Sequence, residues 1–294
     1  MESPIAGHTR CVCLLGYPVS HSISPQIHNH AFRKLNLPFV YIPLGIAPRD
    51  LPQAVYTLRA GMAGANVTIP HKKAVVHYCD EISELSTATG TVNTLYMKDG
   101  RLCGTTTDPD GFFRALEAGG HVFGEDHVVI LGNGGTAKTL GAALLLKKRC
   151  RSLVFAGRTL EKAQALASEL EPPGGTVPVN ACRLGEDSSK VFFDRCTLLV
   201  NCTSAGMTPR TDTTPLDQRF FHPGMTVFDT IYNPRTTRFL KEAAAAGCRT
   251  QNGLLMLLYQ GLESFRYWTG KDAPHDLFDI NKLQNIVDTS KDTS

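Results

Sequence analysis

The sequence predicts an α/β protein of two domains: an N-terminal domain on a mainly parallel sheet, and a Rossmann-type dinucleotide-binding domain, with a C-terminal helix packing back on the first. Three observations carry this expectation. Strand-like and helix-like segments alternate over roughly the first hundred residues, the pattern of βαβ units. The alternation restarts at His127 with a glycine-rich turn between an apolar run and a helical segment. The stretch 252–270, NGLLMLLYQGLESFRYWTG, is apolar almost all round, as a buried helix is.

In chain order, CVCLL (11–15) reads as a buried strand and PQIHNHAFRKLN (25–36) as the helix after it. FVYIPL and PRDLPQAVYTLRA repeat the pair, as do GANVTI and HKKAVVHYC. TVNTLYMKDGRLCGTT places two short strands around Asp99-Gly100, a favoured two-residue hairpin turn. A helix at about 110–118 ends near Gly119-Gly120 and, with residues 119–126, forms the expected linker. HVVILGNGGTAKTLGAALLLKK, SLVFAGRTLEKAQALASELE, LLVNCTSAG and TVFDTIYNPRTTRFLKEAAAAG then give strands followed by helices. EPPGG at 171–175 is a loop inside this domain. The expected boundaries are 1–109 plus 249–294 for the substrate-binding domain and 110–248 for the dinucleotide domain.

At 294 residues the chain has room for two cores. A formal charge of +3 is too small and dispersed to predict nucleic-acid binding, so a small molecule is the expected partner. The nine cysteines contain no C-x-x-C pair and no zinc-like His spacing, so no metal is expected and they read as small apolar residues of a reducing cytoplasm. No apolar run approaches the ~20 residues of a membrane span. A homodimer is left open.

The turn after the strand at 127–131 has the form Gly132-x-Gly134-x-x-Ala137 before a helix. Gly132 allows a tight turn, Gly134 lets backbone approach a pyrophosphate, and Ala137 allows close helix-strand packing. A ligand-free glycine turn would look similar. The second strand of the domain ends in Gly157-Arg158-Thr159, with Lys162 one turn on and no carboxylate where NAD would need one. An arginine fork and a hydroxyl suit a 2′-phosphate, which selects NADP. A solvated Arg158 is the bland alternative.

The first domain supplies polar residues at turns near strand ends, where open α/β sheets bind ligands. Ser22 and Ser24 beside Pro25 would seat a carboxylate at a helix N-terminus, whereas helix capping would account for Ser24 alone. Asn66 and Thr68 share one side of an extended segment. Lys72 follows Pro70 at an expected helix start, where a cation costs a few tenths of a kcal/mol to ~1 against the macrodipole. Asn93 and Asp108 lie in TGTVNTL and TTTDPDG. An Asp beside a Lys would keep its ammonium charged and oriented to polarise a carbonyl or relay a proton, although Asp108 alone reads as a helix cap before Pro109.

Together these motifs resemble the shikimate dehydrogenases and the related quinate/shikimate dehydrogenases across nearly the whole chain. "GYPVSHSISPQIHN", "GANVTIPHK", "GTVNTL", "GNGGTAKT", "GRT", "NCTSAGM", "DTIYNP" and "NGLLMLLYQG" fall in that family's order and spacing. The resemblance implies reversible NADP-dependent reduction of 3-dehydroshikimate to shikimate in aromatic amino-acid biosynthesis, with domain closure excluding water. By the same resemblance Ser22 and Ser24 hold the substrate carboxylate, Thr68, Asn93 and Gln260 bind ring hydroxyls, and Lys72 and Asp108 form the catalytic pair. It further implies that Tyr232 reaches the substrate, that Gly132, Gly134, Gly135, Ala137, Arg158, Thr159 and Lys162 form the NADP site, and that Met256 lies near the nicotinamide. Two departures stand out: Thr106-Thr107-Asp108-Pro109 where the family has Asn-Thr-Asp-Gly, and Gly157 where it has Asn. The first leaves room for quinate or an aminated shikimate analogue as substrate. A non-catalytic sensor of NADP and a cyclohexene acid is the remaining alternative, and retention of Lys72, Asp108 and Gln260 together argues against it.

Overall fold

The computed structural model describes residues 5–20, 22–171 and 175–289. Residues 172–174 of the expected loop at 171–175 lie outside them. The chain divides into two compact units, Met1–Gly111 with Leu257–Ser294, and Phe112–Met256.

The first unit contains β1 (Arg10–Gly16), α1 (Ser24–Lys34), β2 (Phe39–Gly45), α2 (Leu51–Gly61), β3 (Gly64–Val67), β4 (Glu81–Ile82), α3 (Glu84–Thr89), β5 (Thr94–Lys98) and β6 (Arg101–Thr105). Its sheet runs β2-β1-β3-β5-β6-β4. β1 pairs in parallel with β2 and β3, as β4 does with β6, while β5 is antiparallel to β3 and β6. The β5–β6 pairing follows from the hairpin, whose Asp99 and Gly100 both take positive φ, 51° and 75°. Leu51, Val55 and Leu58 of α2 pack on Cys13, Leu15, Val67 and Leu95. The expected helix 71–79 is instead a turn followed by a 3-10 helix, Ala74–Tyr78. The Lys72 carbonyl, which an α-helix would offer to Val76 N–H, accepts from Val92 N–H instead, and the His71 ring, donating to the Ile46 carbonyl at 2.7 Å, pins the turn. Lys72 therefore precedes the helix, and the macrodipole cost expected for it does not arise.

The chain crosses to the second unit within α4 (Asp108–Ala118) and returns within α9 (Leu254–Thr269). Between them lie β7 (His127–Leu131), α5 (Gly135–Leu146), β8 (Ser152–Gly157), α6 (Leu160–Leu170), β9 (Val179–Arg183), α7 (Lys190–Phe193), β10 (Leu198–Asn201), β11 (Thr226–Asp229), α8 (Arg238–Ala245) and β12 (Arg249–Gln251); α10 (Ile280–Thr289) closes the chain. The sheet order β12-β11-β10-β7-β8-β9, parallel throughout, is the doubly wound order of dinucleotide folds. Both boundaries differ from those read in the sequence. Phe112 packs edge-on against Phe228, and Gln251 Nε2 donates to the Ala115 carbonyl, so most of α4 belongs to the second unit. Arg249–Gln251 are an edge strand of its sheet, which moves the return past 249 to Met256.

The later part of α9 packs on the first unit's sheet, as its apolar sequence predicts. Phe265 stacks on Phe32 of α1 at 5.1 Å, and the Trp268 indole donates to the Leu95 carbonyl at 2.9 Å. Gly64 makes this docking feasible, since a Cβ there would stand 2.3 Å from the Leu95 oxygen and 2.5 Å from the indole. Gly64→Ala is expected to cost about 1–3 kcal/mol of stability, seen as a lower urea midpoint at unchanged slope. An unchanged midpoint would mean that the Leu95 strand and the indole both yield at no cost.

Candidate active site

Lys72 Nζ donates to Asp108 Oδ2 at 2.7 Å, and Asn93 Nδ2 donates to Asp108 Oδ1 at 2.7 Å. Both carboxylate oxygens are thus engaged. Asp108 is the first residue of α4, and it is held by Lys72 and Asn93 instead of serving as the cap the sequence suggested. The side chains are 30% and 17% exposed, so the pair sits at a wet surface where an incoming ligand can reach the ammonium.

Asn93 is fixed from behind. Its Oδ1 accepts from Thr94 Oγ1 at 2.8 Å and from the Thr107 N–H at 2.9 Å, which forces Nδ2 toward Asp108 and toward Gln260 Oε1 at 3.3 Å. Ser264 extends the network, with its hydroxyl 2.7 Å from Thr94 Oγ1 and 3.1 Å from Thr107 Oγ1. Asn66 donates to Ser264 Oγ at 3.0 Å and accepts from the Tyr41 hydroxyl at 2.9 Å. The structure therefore joins Lys72, Asp108, Asn93 and Gln260 in one cluster. It also draws in Asn66, named in the sequence beside Thr68, and adds Thr94, Thr107, Tyr41 and Ser264, which the sequence did not assign to the site. A hydroxyl at a strand end, directly before Asp108 in the chain, is the signal that could have found Thr107.

Thr68 follows β3 beside the end of β1, its N–H donating to the Leu15 carbonyl at 2.9 Å. A Cβ on Gly16 would fall 2.3 Å from the Thr68 methyl, so only glycine lets the two strand ends approach this closely. Ser22 and Ser24 lie where β1 passes into α1. Capping is the reverse of the expectation: Ser24 N–H donates to Ser22 Oγ at 3.3 Å, and Ser24 starts the helix with Ile23 as its N-cap residue. The sequence placed the helix start one residue too late, because Pro25 fits either of the first two helical positions.

In the second unit, β7 ends at Leu131 and Gly132 takes φ 108°, its N–H donating to the Ala156 carbonyl at 2.8 Å. Gly134 is the N-cap residue of α5, no side chain caps that end, and nothing lies within 4 Å of a Cβ placed on Gly134 or Gly135. Open space above unpaired helix N–H groups is what a pyrophosphate needs. Ala137 is fully buried. Arg158 and Lys162 are exposed after β8, Thr159 is the N-cap residue of α6, and Gly157 faces Asn133 Nδ2 at 3.6 Å from a would-be Cβ. Tyr232 follows β11, with burial pushing its phenol up, and Met256 lies buried in the first turn of α9. Both belong to the second unit.

A second buried polar cluster stands at the ends of β10 and β11. Asp229, fully buried, accepts from Asn201 Nδ2 at 3.0 Å, Ile231 N–H at 3.1 Å and Thr237 Oγ1 at 2.6 Å. Burial pushes its carboxyl up to about 6, against the opposing pull of those three donors.

Family models match the chain in order: shikimate dehydrogenase substrate binding domain over residues 14–95, shikimate / quinate 5-dehydrogenase over 116–205, and shikimate 5'-dehydrogenase C-terminal domain over 253–277. The chain is 43% identical to the shikimate dehydrogenase (NADP(+)) of Moorella thermoacetica over 276 residues, 94% of this chain and 93% of that one. A crystal structure of a shikimate dehydrogenase in complex with NADP+ superposes with a TM-score of 0.85 at 36% identity, covering 98% of this chain and 97% of the other. That of shikimate 5-dehydrogenase from Listeria monocytogenes, in complex with shikimate and NAD, gives 0.90 at 30% identity over 96% and 99%.

Proposed function

The chain belongs to the shikimate dehydrogenase family, and from that premise we propose that it catalyses the reversible NADP-dependent reduction of 3-dehydroshikimate to shikimate in aromatic amino-acid biosynthesis. The observation that carries this reading is the Lys72–Asp108 pair at 2.7 Å with Asn93 bridging to Gln260. NADPH supplies hydride to the ring ketone and NADP+ accepts it in reverse. Lys72 has three N–H donors, one of them spent on Asp108; another donates a proton to the ketone oxygen as negative charge develops there. In the oxidative direction the same nitrogen, deprotonated, takes the hydroxyl proton. Asp108 holds the ammonium in place; Gln260, with one Nε2 hydrogen given to the Leu257 carbonyl, offers the other to a ring hydroxyl alongside Thr68, and Asn93 would reach the ring by exchanging its contact to Gln260. Ser22 and Ser24, at the amide end of α1, seat the substrate carboxylate.

The residues of the second unit fit the dinucleotide. The open amides of Gly134 and Gly135 would take the pyrophosphate, and Arg158 and Lys162, with Thr159, the 2′-phosphate. Tyr232 and Met256 would line the nicotinamide end. In this reading residues 1–111 with 257–294 form the substrate-binding domain and 112–256 the NADP domain. Nine unpaired thiols, and the lack of any helix long and apolar enough to cross a membrane among the described residues, suit a cytoplasmic enzyme.

One observation favours a sibling substrate. Thr106 is buried at the end of β6 and Pro109 stiffens the first turn of α4, both beside Asp108, so an oxidised quinate or an aminated analogue is the second reading. A panel of shikimate, quinate and aminoshikimate with NADP and NAD tests both. Shikimate with NADP is expected to give the highest kcat/KM. A higher value for quinate selects the sibling, and NADPH binding without turnover on any substrate would leave a sensor.

A further inference from the structure

We propose that Asp229 is a positioning residue for the nicotinamide end of the dinucleotide site, tying the turns after β10 and β11 to the glycine turn and to the start of α9. This rests on the dinucleotide reading given above. Asp229 touches no group expected to meet substrate or cofactor; it acts through a chain of hydrogen bonds that ends at residues which do.

On one side Asn201 Nδ2 donates to Asp229 Oδ1, which turns Asn201 Oδ1 to accept from the Thr203 N–H at 2.9 Å and the Thr203 hydroxyl at 2.7 Å. Thr203 Oγ1 in turn accepts from Ala205 N–H at 3.2 Å, so the whole turn is ordered from the carboxylate outward. The Thr203 methyl then lies 3.1 Å from the place a Cβ on Gly132 would occupy. The wall formed by 202–203 thus sets how tightly the glycine turn can close.

On the other side Ile231 N–H donates to the same carboxylate oxygen, and the Ile231 carbonyl accepts from Gly253 N–H at 3.0 Å. A Cβ on Gly253 would meet the Thr230 carbonyl oxygen at 2.2 Å, so the entry to α9, three residues before Met256, rests directly on this turn. Thr237 completes the set, its hydroxyl donating a hydrogen bond to Asp229 Oδ2 and accepting from Leu240 N–H at 3.3 Å as the N-cap of α8.

Two N–H groups that can only donate converge on Oδ1, and the Thr237 hydroxyl, which also accepts from Leu240 N–H, donates to Oδ2, an arrangement that an ionised carboxylate serves with both oxygens. Asparagine would turn an NH2 toward at least one donor. Among the described residues no basic side chain pairs with Asp229, and a nearby titratable group that interacts with it is the half-buried Cys202 thiol, itself pushed up by desolvation. A buried carboxylate without a cation is costly, and its retention at the ends of two central strands points to a demand of the site.

The test is NADPH binding to the full chain at pH 8, well above the value of about 6 for this carboxyl, followed by fluorescence, with shikimate binding followed by calorimetry. Asp229→Asn is expected to weaken NADPH about tenfold or more, and Thr237→Val about threefold, while shikimate affinity stays within about twofold and KM for NADP rises. A merely structural role would lower the melting temperature and leave NADPH affinity of the folded protein unchanged. A folded Asp229→Asn with wild-type NADPH affinity would overturn the proposal. If that variant fails to fold, Thr237→Val decides alone, by the same criterion. Wild-type protein that binds no NADPH would instead bring down the dinucleotide reading, and this proposal with it.

Discussion

Lys72→Ala is expected to lower kcat by about 10² to 10⁴ while KM for shikimate changes little, the signature of a group that acts in the transition state. In the proposed reaction the ammonium's remaining donors supply the proton that the ketone oxygen takes up, and an alanine has none to give. The loss is chemical, not a loss of fold: the ion pair is partly exposed, and pairs of that kind contribute roughly 0 to 1 kcal/mol to stability. Lys72→Arg should recover little, since a guanidinium can pair with Asp108 yet cannot release a proton near neutral pH. Steady-state rates with saturating shikimate and NADP, beside a melting curve for each variant, check this. A Lys72→Ala enzyme with near wild-type kcat would remove Lys72 from the chemistry.

The fold was legible where burial imposes a pattern. β1, β3, β7 and β8 are short apolar runs bounded by glycine, and each was readable because a strand covered on both faces needs apolar side chains on both. The hairpin was readable because Asp-Gly accepts positive φ at both central positions. β4 and β12 were not, since two- and three-residue edge strands bury too little to leave a pattern. The 71–79 segment was misread as an α-helix because its composition is helical, whereas bonds from His71 to Ile46 and from Val92 to Lys72 decide its course. Propensity lost to tertiary contacts there.

The site shows the same division. Lys72, Asn93 and Asp108 stood out because each sits in a turn near a strand end, and the structure brings their side chains together. The hydroxyls that aim Asn93 were invisible: Thr94, Thr107 and Ser264 are common residue types, and Ser264 lies 170 positions from Thr94. Asp229 was missed for a related reason, since an Asp ending a strand before a turn ordinarily caps that turn. Only its complete burial and its three donors mark it out.

The second large effect concerns the choice of cofactor. A 2′-phosphate carries a charge of about −1.5 to −2 near neutral pH, and a charge-assisted hydrogen bond to such a group is worth about 1.5–3 kcal/mol. Arg158 stands directly after β8, at the end of the strand neighbouring the glycine turn, with Lys162 in the first turn of α6. Two cations in this position stand where NAD would need a carboxylate for its ribose 2′-hydroxyl, and they offer a fork and a point charge to the phosphate of NADP. Arg158→Ala is therefore expected to lower kcat/KM with NADP by about 10- to 100-fold while leaving that with NAD within about twofold, so the variant loses selectivity, not catalysis. Raising ionic strength should depress NADP affinity of the wild type more than that of the variant, since the missing contact is the screened one. Equal losses with both cofactors would show that Arg158 supports the adenosine pocket as a whole and that the 2′-phosphate is read by Lys162 or by other residues. Wild-type kcat/KM for NAD equal to that for NADP would remove the basis for assigning NADP at all.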